Sequence, residues 1–287
     1  MPRFHSILLL LFLLSAVHPA FCQWDRHFPI AQDTFAHGFP QILVDDSLRL
    51  HVFDVRQHNQ PDGVRSSLYY QQFDHWGNPL TTPMNVFQDD HWQDYGAGVL
   101  LDRNNQIHVV WCRFYHIIPP TGNRVYYTSL SLEGQVLTDP FVMVTPYRNY
   151  AVQAGINLVQ SEDGRIWVAL DHFFAVLDEA GNVLQPFQPV YDPFYAINQP
   201  ILASAPNNQV WAAVRFIDST QNVSVVRVDT SVLVMEEVSG AYPDWLQMTP
   251  EAFFIDSTGA FHYVLYREDA GLVYQRDGRD GSPPTRR

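Results

Sequence analysis

After its first 23 residues the chain alternates short apolar runs with polar turns, and one pattern of turn and run recurs five times. Each copy, here called a module, has a turn, then an aliphatic or Phe residue followed by His or Trp, which together open an apolar run of strand length. The five pairs are Leu50-His51, Ile107-His108, Ile166-Trp167, Val210-Trp211 and Phe261-His262. Successive pairs lie 57, 59, 44 and 51 residues apart, which indicates a repeat architecture.

The turn before each pair has the composition of a β-hairpin turn. Two places before the aliphatic residue, four modules carry a residue that tolerates positive φ; these are Asn105, Gly164, Asn208 and Gly259, and the first module has Leu48 there. Six places before the His or Trp stand Asp45, Asp102, Ser161, Ala205 and Asp256. Asp and Ser side chains hydrogen-bond turn backbone, so the pattern predicts hairpins.

Further apolar runs follow within each module, and no helical periodicity of useful length accompanies them. The third run falls at residues 68–70, 125–127, 174–176, 225–227 and 272–274, and a fourth at residues 84–87, 141–144, 187–190 and 233–238. Four antiparallel strands repeated at this period are typical of β-propeller blades. The sequence therefore predicts an all-β fold, a β-propeller of four-stranded antiparallel blades.

The strand count bears on how the ring closes. The last module has no fourth run, because the chain ends in turn-forming residues, but residues 26–30 stand before the first module, where a fourth strand belongs. We predict five blades, with this N-terminal strand closing the last blade and leaving no exposed edge. A six-bladed propeller truncated by one blade is the alternative.

The N-terminus has the features of an export signal. Arg3 and His5 precede an apolar run at residues 7–14, too short to span a bilayer, and Ala20 and Cys22 are the small residues expected before cleavage at Gln23. We predict a signal peptide at residues 1–22, a single β-propeller domain at residues 23–287 and an extracytoplasmic protein, secreted or periplasmic. No later run reaches the ~18 apolar residues that a membrane span needs.

The amino-acid composition excludes several classes of protein and of catalytic mechanism. The 287 residues are 46% hydrophobic and 14% aromatic but only 16% charged, which excludes a disordered chain. All 17 basic residues are arginine, so P-loop and Schiff-base mechanisms, which need a lysine, are excluded. With 30 acidic residues and a net charge of -13, a nucleic-acid partner is not expected.

Two sets of residues point to a ligand at one end of the strands. The loops between second and third strands, and between a fourth strand and the next first strand, share one face, here called the loop-rich face. Aromatics beside short carboxylates in these loops suit a sugar, because rings pack on its C–H face while acids bind its hydroxyls. The aromatic candidates are Trp92, Tyr95, Tyr195 and Trp245. Packing between blades is the alternative role for these rings.

The second set lies four or five residues after each His or Trp, where the second strand ends near the same face. Its members are Arg56, Arg113, His172, Arg215 and Arg267. A ring of guanidinium groups could bind the carboxylate of an acidic sugar or a peptide terminus. The alternative is that these groups form salt bridges with acids such as Asp54, Asp171 or Asp218, repeated because the module repeats.

Catalysis would need two facing carboxyl groups, or a tyrosine and an acid. Asp90, Asp192 and Asp244 come from rim loops of different modules and are the candidates. Asp89, Asp90 and His91 with Asp94 could hold a cation, but no fixed spacing enforces it, and we predict neither a metal nor a cofactor. The His residues of the modules exchange with Trp, which favours packing over metal ligation.

The modules resemble the sialidase-like, Asp-box-related propellers of exported bacterial proteins, with degenerate motifs. The residues that carry the resemblance are 102–111, 125–127, 133–134, 178–181 and 256–262. The stretch from Ser161 to Trp167 is one residue shorter than the Asp box Ser-x-Asp-x-Gly-x-x-Trp, and the Arg-Ile-Pro motif of sialidases is absent. The resemblance implies the propeller architecture.

These observations lead to three hypotheses about function. The first is an exported, non-catalytic and monomeric propeller that binds a carbohydrate or anionic polymer on its loop-rich face. The second is a glycoside hydrolase or lyase of sialidase-like type. The third is a scaffold whose aromatic rim binds a protein partner. Propellers host all three functions, so the fold alone does not decide among them.

Overall fold

A computed structural model describes residues 36–60, 63–88, 92–115, 123–144, 155–170, 173–189, 197–216, 223–228, 236–237, 248–267 and 271–277. These residues belong to one compact unit, Phe35–Arg287. They form strands and turns, with no helix among them, which confirms the predicted all-β class. It follows that none of them lies in a helix able to cross a membrane.

The strands follow the module pattern in chain order. Module 1 holds β1 (Ala36–Val44), β2 (Leu50–Gln60), β3 (Gly63–Phe73) and β4 (Met84–Asn85), and module 2 holds β5 (Trp92–Leu101), β6 (Gln106–Tyr115), β7 (Asn123–Ser131) and β8 (Val136–Val144). Module 3 holds β9 (Ile156–Gln160), β10 (Ile166–Leu170), β11 (Phe173–Leu177) and β12 (Val183–Pro189). Module 4 holds β13 (Ile197–Ala205), β14 (Gln209–Phe216), β15 (Val223–Val228) and β16 (Glu236–Glu237), and module 5 holds β17 (Met248–Ile255), β18 (Phe261–Arg267) and β19 (Gly271–Asp277).

Within each module, consecutive strands pair antiparallel. Strands β9 to β12 and β13 to β16 form two four-stranded sheets, and β17 to β19 form a three-stranded sheet. Modules 1 and 2 share one sheet, because a parallel bridge between Ser66 and Gln93 joins β3 to β5. The Ser66 hydroxyl reinforces this junction by donating to the Asp94 carbonyl at 2.7 Å. The predicted closing strand at residues 26–30 lies outside the described residues, so the blade count and the closure stay predictions.

The hairpin turns have the predicted backbone. Leu48, Asn105 and Asn208 have φ of 59°, 60° and 60°, and Gly164 and Gly259 have φ of 88° and 80°. In the turn of module 2, Asp102 Oδ1 accepts from the N–H groups of Asn104 at 2.9 Å and Gln106 at 2.7 Å. Asp45 and Asp256 hold their own turns in the same way. A carboxylate and a left-handed residue therefore fix each of these turns.

The hydrophobic core is divided into layers, each of which lies between two consecutive modules. In β6, Val109 and Trp111 pack with module 1, whereas Val110 and Cys112 pack with module 3. Two further layers join module 3 to module 4 and module 4 to module 5. Since the middle strands are covered on both faces, their sequences are continuous apolar runs and lack alternation.

The first strands of consecutive modules lie beside one another: β1 contacts β5, β5 contacts β9, β9 contacts β13, and β13 contacts β17. Gly98 marks the closest approach. A Cβ on this residue would lie 2.5 Å from Leu158 Cδ1 and 2.6 Å from the Ile156 carbonyl oxygen. Glycine at this position therefore lets β5 and β9 meet at the inner edge of the stack.

The turn of module 1 generates a stability prediction, because Leu48 holds a left-handed φ that Asn tolerates far better. Its side chain is 59% exposed, so little burial is lost on replacement. Leu48→Asn is expected to raise the free energy of unfolding by about 1 kcal/mol. The reverse exchange at the equivalent position, Asn105→Leu, should lower it similarly. Urea denaturation of both variants checks this, and an unchanged midpoint in both would contradict the assignment of strain to this turn.

Candidate functional site

The structure describes only part of the predicted loop-rich face. Six predicted site residues lie outside the described residues: Asp90, His172, Asp192, Tyr195, Asp244 and Trp245. Trp92 begins β5, Arg215 lies near the end of β14 and Arg267 ends β18, but the side chains of these three are likewise not described. The roles of all nine stay predictions. Arg56, Tyr95 and Arg113 are described in full.

Arg113 lies at the end of β6, and its guanidinium is built into the fold. Its Nε donates to Asp94 Oδ1 at 2.5 Å, and its Nη2 donates to Asp94 Oδ2 at 3.0 Å and to the Phe87 carbonyl at 2.9 Å. Asp94 Oδ2 also accepts from the Leu68 N–H at 2.9 Å. Both charged residues are 1% exposed. This pair therefore joins β3, β5, β6 and the segment before β5.

Burial and the ion pair shift the pKa of the Asp94 carboxyl in opposite directions. Burial raises the pKa of the Asp94 carboxyl, and the hydrogen bonds and charge of Arg113 counter that effect. A buried ion pair of this kind fixes the relative orientation of its two side chains, and removal of one partner would leave an uncompensated charge. Arg113 therefore positions the start of β5, where Trp92 and Tyr95 are found.

Aromatic rings surround both described arginines. The guanidinium carbon of Arg113 lies 4.6 Å from the Phe87 ring centroid and 5.5 Å from that of Tyr126. In module 1, Arg56 lies 4.7 Å from the Tyr69 ring centroid. We call these five residues the arginine–aromatic layer. Arg113 lies two residues before the end of β6, and Phe87 leads into β5, so this part of the layer lies toward the loop-rich face, whereas Arg56 lies near the middle of β2, which is longer than the sequence predicted.

Arg56 forms the salt bridge that the alternative interpretation named. Its Nε donates to Asp54 Oδ2 at 3.1 Å, and both side chains are 7% exposed. Tyr95 is half-buried, and its hydroxyl donates to Gln93 Oε1 at 2.9 Å. The described arginines thus hold carboxylates of the protein. Whether they also contact a ligand stays a prediction.

No group of three or more His, Cys, Asp or Glu side chains that could hold a metal ion occurs among the described residues. Asp89, Asp90 and His91, which the sequence offered as a weak cation site with Asp94, lie outside them. Asp94 itself is bound to Arg113.

Sequence reasoning missed a second constellation, at the opposite end of the strands. In modules 1, 2 and 5 the His of the repeat joins a carboxylate to a phenol. Its Nε2 lies 3.2 Å from Asp45 Oδ2 in module 1, 3.2 Å from Asp102 Oδ2 in module 2 and 3.0 Å from Asp256 Oδ2 in module 5. Its Nδ1 lies 2.9 Å from the hydroxyl of Tyr70, 2.7 Å from that of Tyr127 and 2.7 Å from that of Tyr274. We call these groups the Asp–His–Tyr triads.

The triads of modules 1 and 2 are structural, and burial favours the uncharged form of their imidazoles. Burial lowers the pKa of His51 and of His108, against the opposing effect of the neighbouring aspartate. The neutral ring donates from Nε2 to the carboxylate, which can only accept, and its Nδ1 accepts from the tyrosine hydroxyl. Burial raises the pKa of Tyr70 to about 12, so the phenol keeps its proton.

The triad residues are replaced as a set. Modules 3 and 4 have Trp where the His stands, with Ser161 and Ala205 in the place of the Asp. Strand register places Phe174 and Val225 where the tyrosine would be. The sequence contains a signal for the triads, because the Asp, the His and the Tyr are all replaced in the same two modules.

Each of the first two triads also contacts the next module. A Cβ on Gly134, in module 2, would lie 2.6 Å from Tyr70 Cε1, and one on Gly181, in module 3, would overlap the Tyr127 hydroxyl. Both glycines have positive φ, of 81° and 85°. The tyrosine of one module therefore packs against a bare turn of its neighbour, so the triad links turn, strand and adjacent sheet.

Comparisons with known proteins identify the fold. No protein-family model matches the chain, and no curated protein matches its sequence. Among solved structures, α-L-arabinanase of Penicillium chrysogenum complexed with arabinobiose matches with a TM-score of 0.62 at 8% identity, over 87% of this chain and 80% of that one. The Hadza microbial sialidase Hz136 matches with a TM-score of 0.58 at 8% identity, over 87% and 57%. An ulvan lyase bound to a GlcA(1-4)Rha3S unit matches with a TM-score of 0.55 at 12% identity, over 86% and 68%.

At these identities the likeness concerns the fold alone. The chain spans 57% of the sialidase's length. Together with the all-β strand order and the stacked sheets, the likeness shows that the chain has a propeller-like fold of the kind that sialidase, arabinanase and polysaccharide lyase structures share.

The triads predict a graded loss of stability. Tyr127→Phe removes the donor to His108 Nδ1 where both side chains are fully buried, and an unsatisfied buried acceptor costs about 1–3 kcal/mol. Tyr274 is 39% exposed, so water can replace its hydroxyl, and Tyr274→Phe should cost clearly less. Guanidinium denaturation of the two variants measures this. Equal losses would mean that the hydrogen bond to histidine is not the origin of the effect.

The same histidines predict a pH dependence. Because burial holds the folded-state pKa of His51 and His108 below the ordinary histidine value of 6.5, the unfolded chain binds more protons, and stability is expected to fall as the pH drops below about 6.5. Replacing the module 2 triad by the module 3 set, Asp102→Ser with His108→Trp and Tyr127→Phe, should flatten the dependence between pH 6.5 and 5. An undiminished slope in this variant would assign the dependence to other groups.

Proposed function

We propose that the protein is an exported, non-catalytic propeller that binds a carbohydrate on its loop-rich face. The observation that carries the proposal is the arginine–aromatic layer of modules 1 and 2, in which Arg113 lies two residues before the end of β6, toward that face. Buried carboxylates bind the layer's two guanidinium groups, and the aromatic rings pack on those groups. The start of β5 is therefore held in a fixed position. Preorganised aromatic and polar groups are what a sugar site requires.

In this proposal Trp92 and Tyr95 contact the sugar directly, and Tyr195 and Trp245 do so from other modules. Strand β5 carries the first two on either side of Asp94, whose bond to Arg113 pins the strand. Asp94 and Arg113 are positioning residues. Arg215, Arg267 and His172 stand at the corresponding sequence positions of later modules, and in this proposal they meet an acidic group on the ligand.

The solved neighbours support a glycan as the ligand class. One is named an arabinanase complexed with arabinobiose, one a sialidase, and one a lyase bound to a GlcA(1-4)Rha3S unit. All three names concern carbohydrates. They are also names of enzymes, which favours a second candidate function, glycoside hydrolysis or lysis, with Asp90, Asp192 and Asp244 as the candidate acids.

We also propose that five modules close into a ring, with residues 26–30 completing the last blade after removal of the signal peptide at residues 1–22. The tyrosine–glycine contacts support this. The last described strand, β19, carries the triad residue Tyr274, and module 1 carries Gly77 with φ of 83°, the counterpart of Gly134 and Gly181. A closed five-module ring would bring these two complementary partners together.

The ring closure predicts protection of the N-terminal strand. In hydrogen exchange of residues 23–287, the amides of residues 26–30 should exchange as slowly as those of β19, because each strand would protect the other. Deleting residues 23–34 should speed exchange in β19 and leave β10 unchanged. Fast exchange of residues 26–30 in the intact chain would contradict the closure.

The proposed function predicts binding without turnover. Residues 23–287 would be incubated with acidic and neutral glycans, with affinity and product masses recorded on the same samples. Trp92→Ala should weaken binding at least tenfold, since loss of a stacked ring removes about 1.4 kcal/mol or more. Trp76→Ala is the matched control: Trp76 is 48% exposed in the turn between β3 and β4, at the other end of the strands.

Each other outcome selects a different function. New product masses would replace the binding proposal by the enzymatic one, and Asp90→Asn, Asp192→Asn and Asp244→Asn would then identify the acids. Absence of binding to every glycan would overturn both and favour a protein partner. Equal loss in the Trp92 and Trp76 variants would show that the ligand does not lie on the loop-rich face.

A further inference from the structure

An exposed leucine follows the turn after the third strand in each of modules 1, 2 and 3. Leu80, Leu137 and Leu184 stand three residues after the positive-φ glycine of that turn, and they are 50%, 51% and 55% exposed. In modules 2 and 3 the preceding residue, Val136 or Val183, is exposed as well. One exposed leucine needs no explanation, whereas the same exposed position in three consecutive modules indicates a surface that packs against another molecule.

In modules 2 and 3 these side chains extend the hydrophobic core to the surface. Val183 pairs with Leu177, which lies in the core layer between the two modules. Phe141 of β8 and Phe187 of β12 pack in the same layer, and the two strands contact one another. The exposed aliphatic residues of these modules therefore adjoin a packed layer. We call Val136, Leu137, Val183 and Leu184 the outer apolar edge.

The two strands are poorly suited to accept an additional strand. Among the described residues, β8 and β12 are the last hydrogen-bonded strands of their sheets. Pro140 stands in the middle of β8 and Pro186 in the middle of β12, and proline has no N–H group to donate to a partner. A partner would thus be bound through side chains, which is how an apolar surface binds an amphipathic helix.

The charges beside the outer apolar edge are negative. Residues 130–144 and 177–189, which contain it, include no arginine, and the whole chain has no lysine. The same two segments carry Glu133, Asp139 and Glu179 as exposed carboxylates. Positively charged groups are therefore the complement of this surface.

The adjoining hairpin turns do not cancel this charge. The turns between first and second strands of modules 2 and 3 hold two arginines, Arg103 and Arg165, against three acids, Asp102, Glu162 and Asp163. They add to the negative charge. A second copy of this chain, or an anionic lipid surface, would bring like charges together here, whereas a basic segment of another protein would bring opposite charges.

We propose that the outer apolar edge of modules 2 and 3 binds a basic amphipathic helix of a partner protein. Apolar side chains of the helix pack on Leu137, Val183 and Leu184. Its arginine or lysine side chains pair with Glu133 and Glu179. This surface lies at the hairpin end of the strands, away from the loop-rich face, so the proposal does not depend on the proposed glycan site.

A synthetic helix is the probe for the test. Fluorescence anisotropy would record the binding of residues 23–287 to a labelled peptide of about 18 residues, with leucine on one helical face and arginine on the other. We expect saturable binding at micromolar concentrations in about 0.15 M salt. A peptide with glutamate in place of arginine, and a scrambled peptide of the same composition, should each bind at least tenfold more weakly.

Leucine variants test the apolar contact. Leu137→Ser with Leu184→Ser should weaken the binding at least tenfold, because burial of these side chains drives the contact. Leu48→Asn is the matched control, since Leu48 is a similarly exposed leucine at the same end of the strands but in the first turn of module 1. It should leave the affinity unchanged. All three positions are exposed, and thermal unfolding of each variant verifies its fold.

Carboxylate variants test the charge. Glu133→Gln with Glu179→Gln should weaken the binding and flatten its dependence on salt. Asp46→Asn removes an exposed carboxylate from the first turn of module 1 and should change neither quantity.

Several results would overturn the proposal. These are absence of saturable binding at hundreds of micromolar protein, equal affinity for the scrambled peptide, or equal weakening in the Leu48 variant and the double leucine variant. Self-association of the unmodified protein that the double leucine variant abolishes would assign the edge to a second copy, and vesicle binding abolished in the same way would assign it to a membrane. Trp92→Ala should leave peptide binding intact; its loss would place the peptide on the loop-rich face.

Discussion

The structure depends on sheets that are buried on both faces. A middle strand such as β6 directs Val109 and Trp111 into one core layer and Val110 and Cys112 into the next. No module can bury its apolar surface alone, so each is stabilised by its neighbours, as in other repeat proteins. The same stacking aligns the strand ends and thereby creates two faces. Functional residues can vary on either face without disturbing the layers.

The two faces are held by different chemistry. Beneath the loop-rich face, the bidentate pair of Arg113 and Asp94 joins three strands and orients the start of β5. At the hairpin end of modules 1, 2 and 5, Asp–His–Tyr triads join the turn to the third strand of the same module, and the tyrosines of modules 1 and 2 reach the next module. Where the triad is absent, between modules 3 and 4, a polar cavity takes its place.

The sequence predicted what periodicity and turn chemistry control. The all-β class, the hairpin at each module and the left-handed φ at Asn105 and Gly164 followed from residues close together in the chain. The shared sheet of modules 1 and 2 could not be predicted, because it depends on a bridge between Ser66 and Gln93 and on the hydroxyl of Ser66. The partner of Arg113 was missed for a similar reason. Asp94 is 19 residues away, and only the strand register brings the two together.

The central claim is that a rigid stack of modules presents a glycan site on its loop-rich face. Hydrogen exchange with and without the best-binding glycan tests this most directly, since it locates the ligand without a substitution. Added protection is expected in residues 86–95 and in the loops that follow β8, β12 and β16, with the hairpin turns at Asp102 and Asp256 unchanged. Protection confined to the hairpin turns, or spread evenly over the strands, would contradict it.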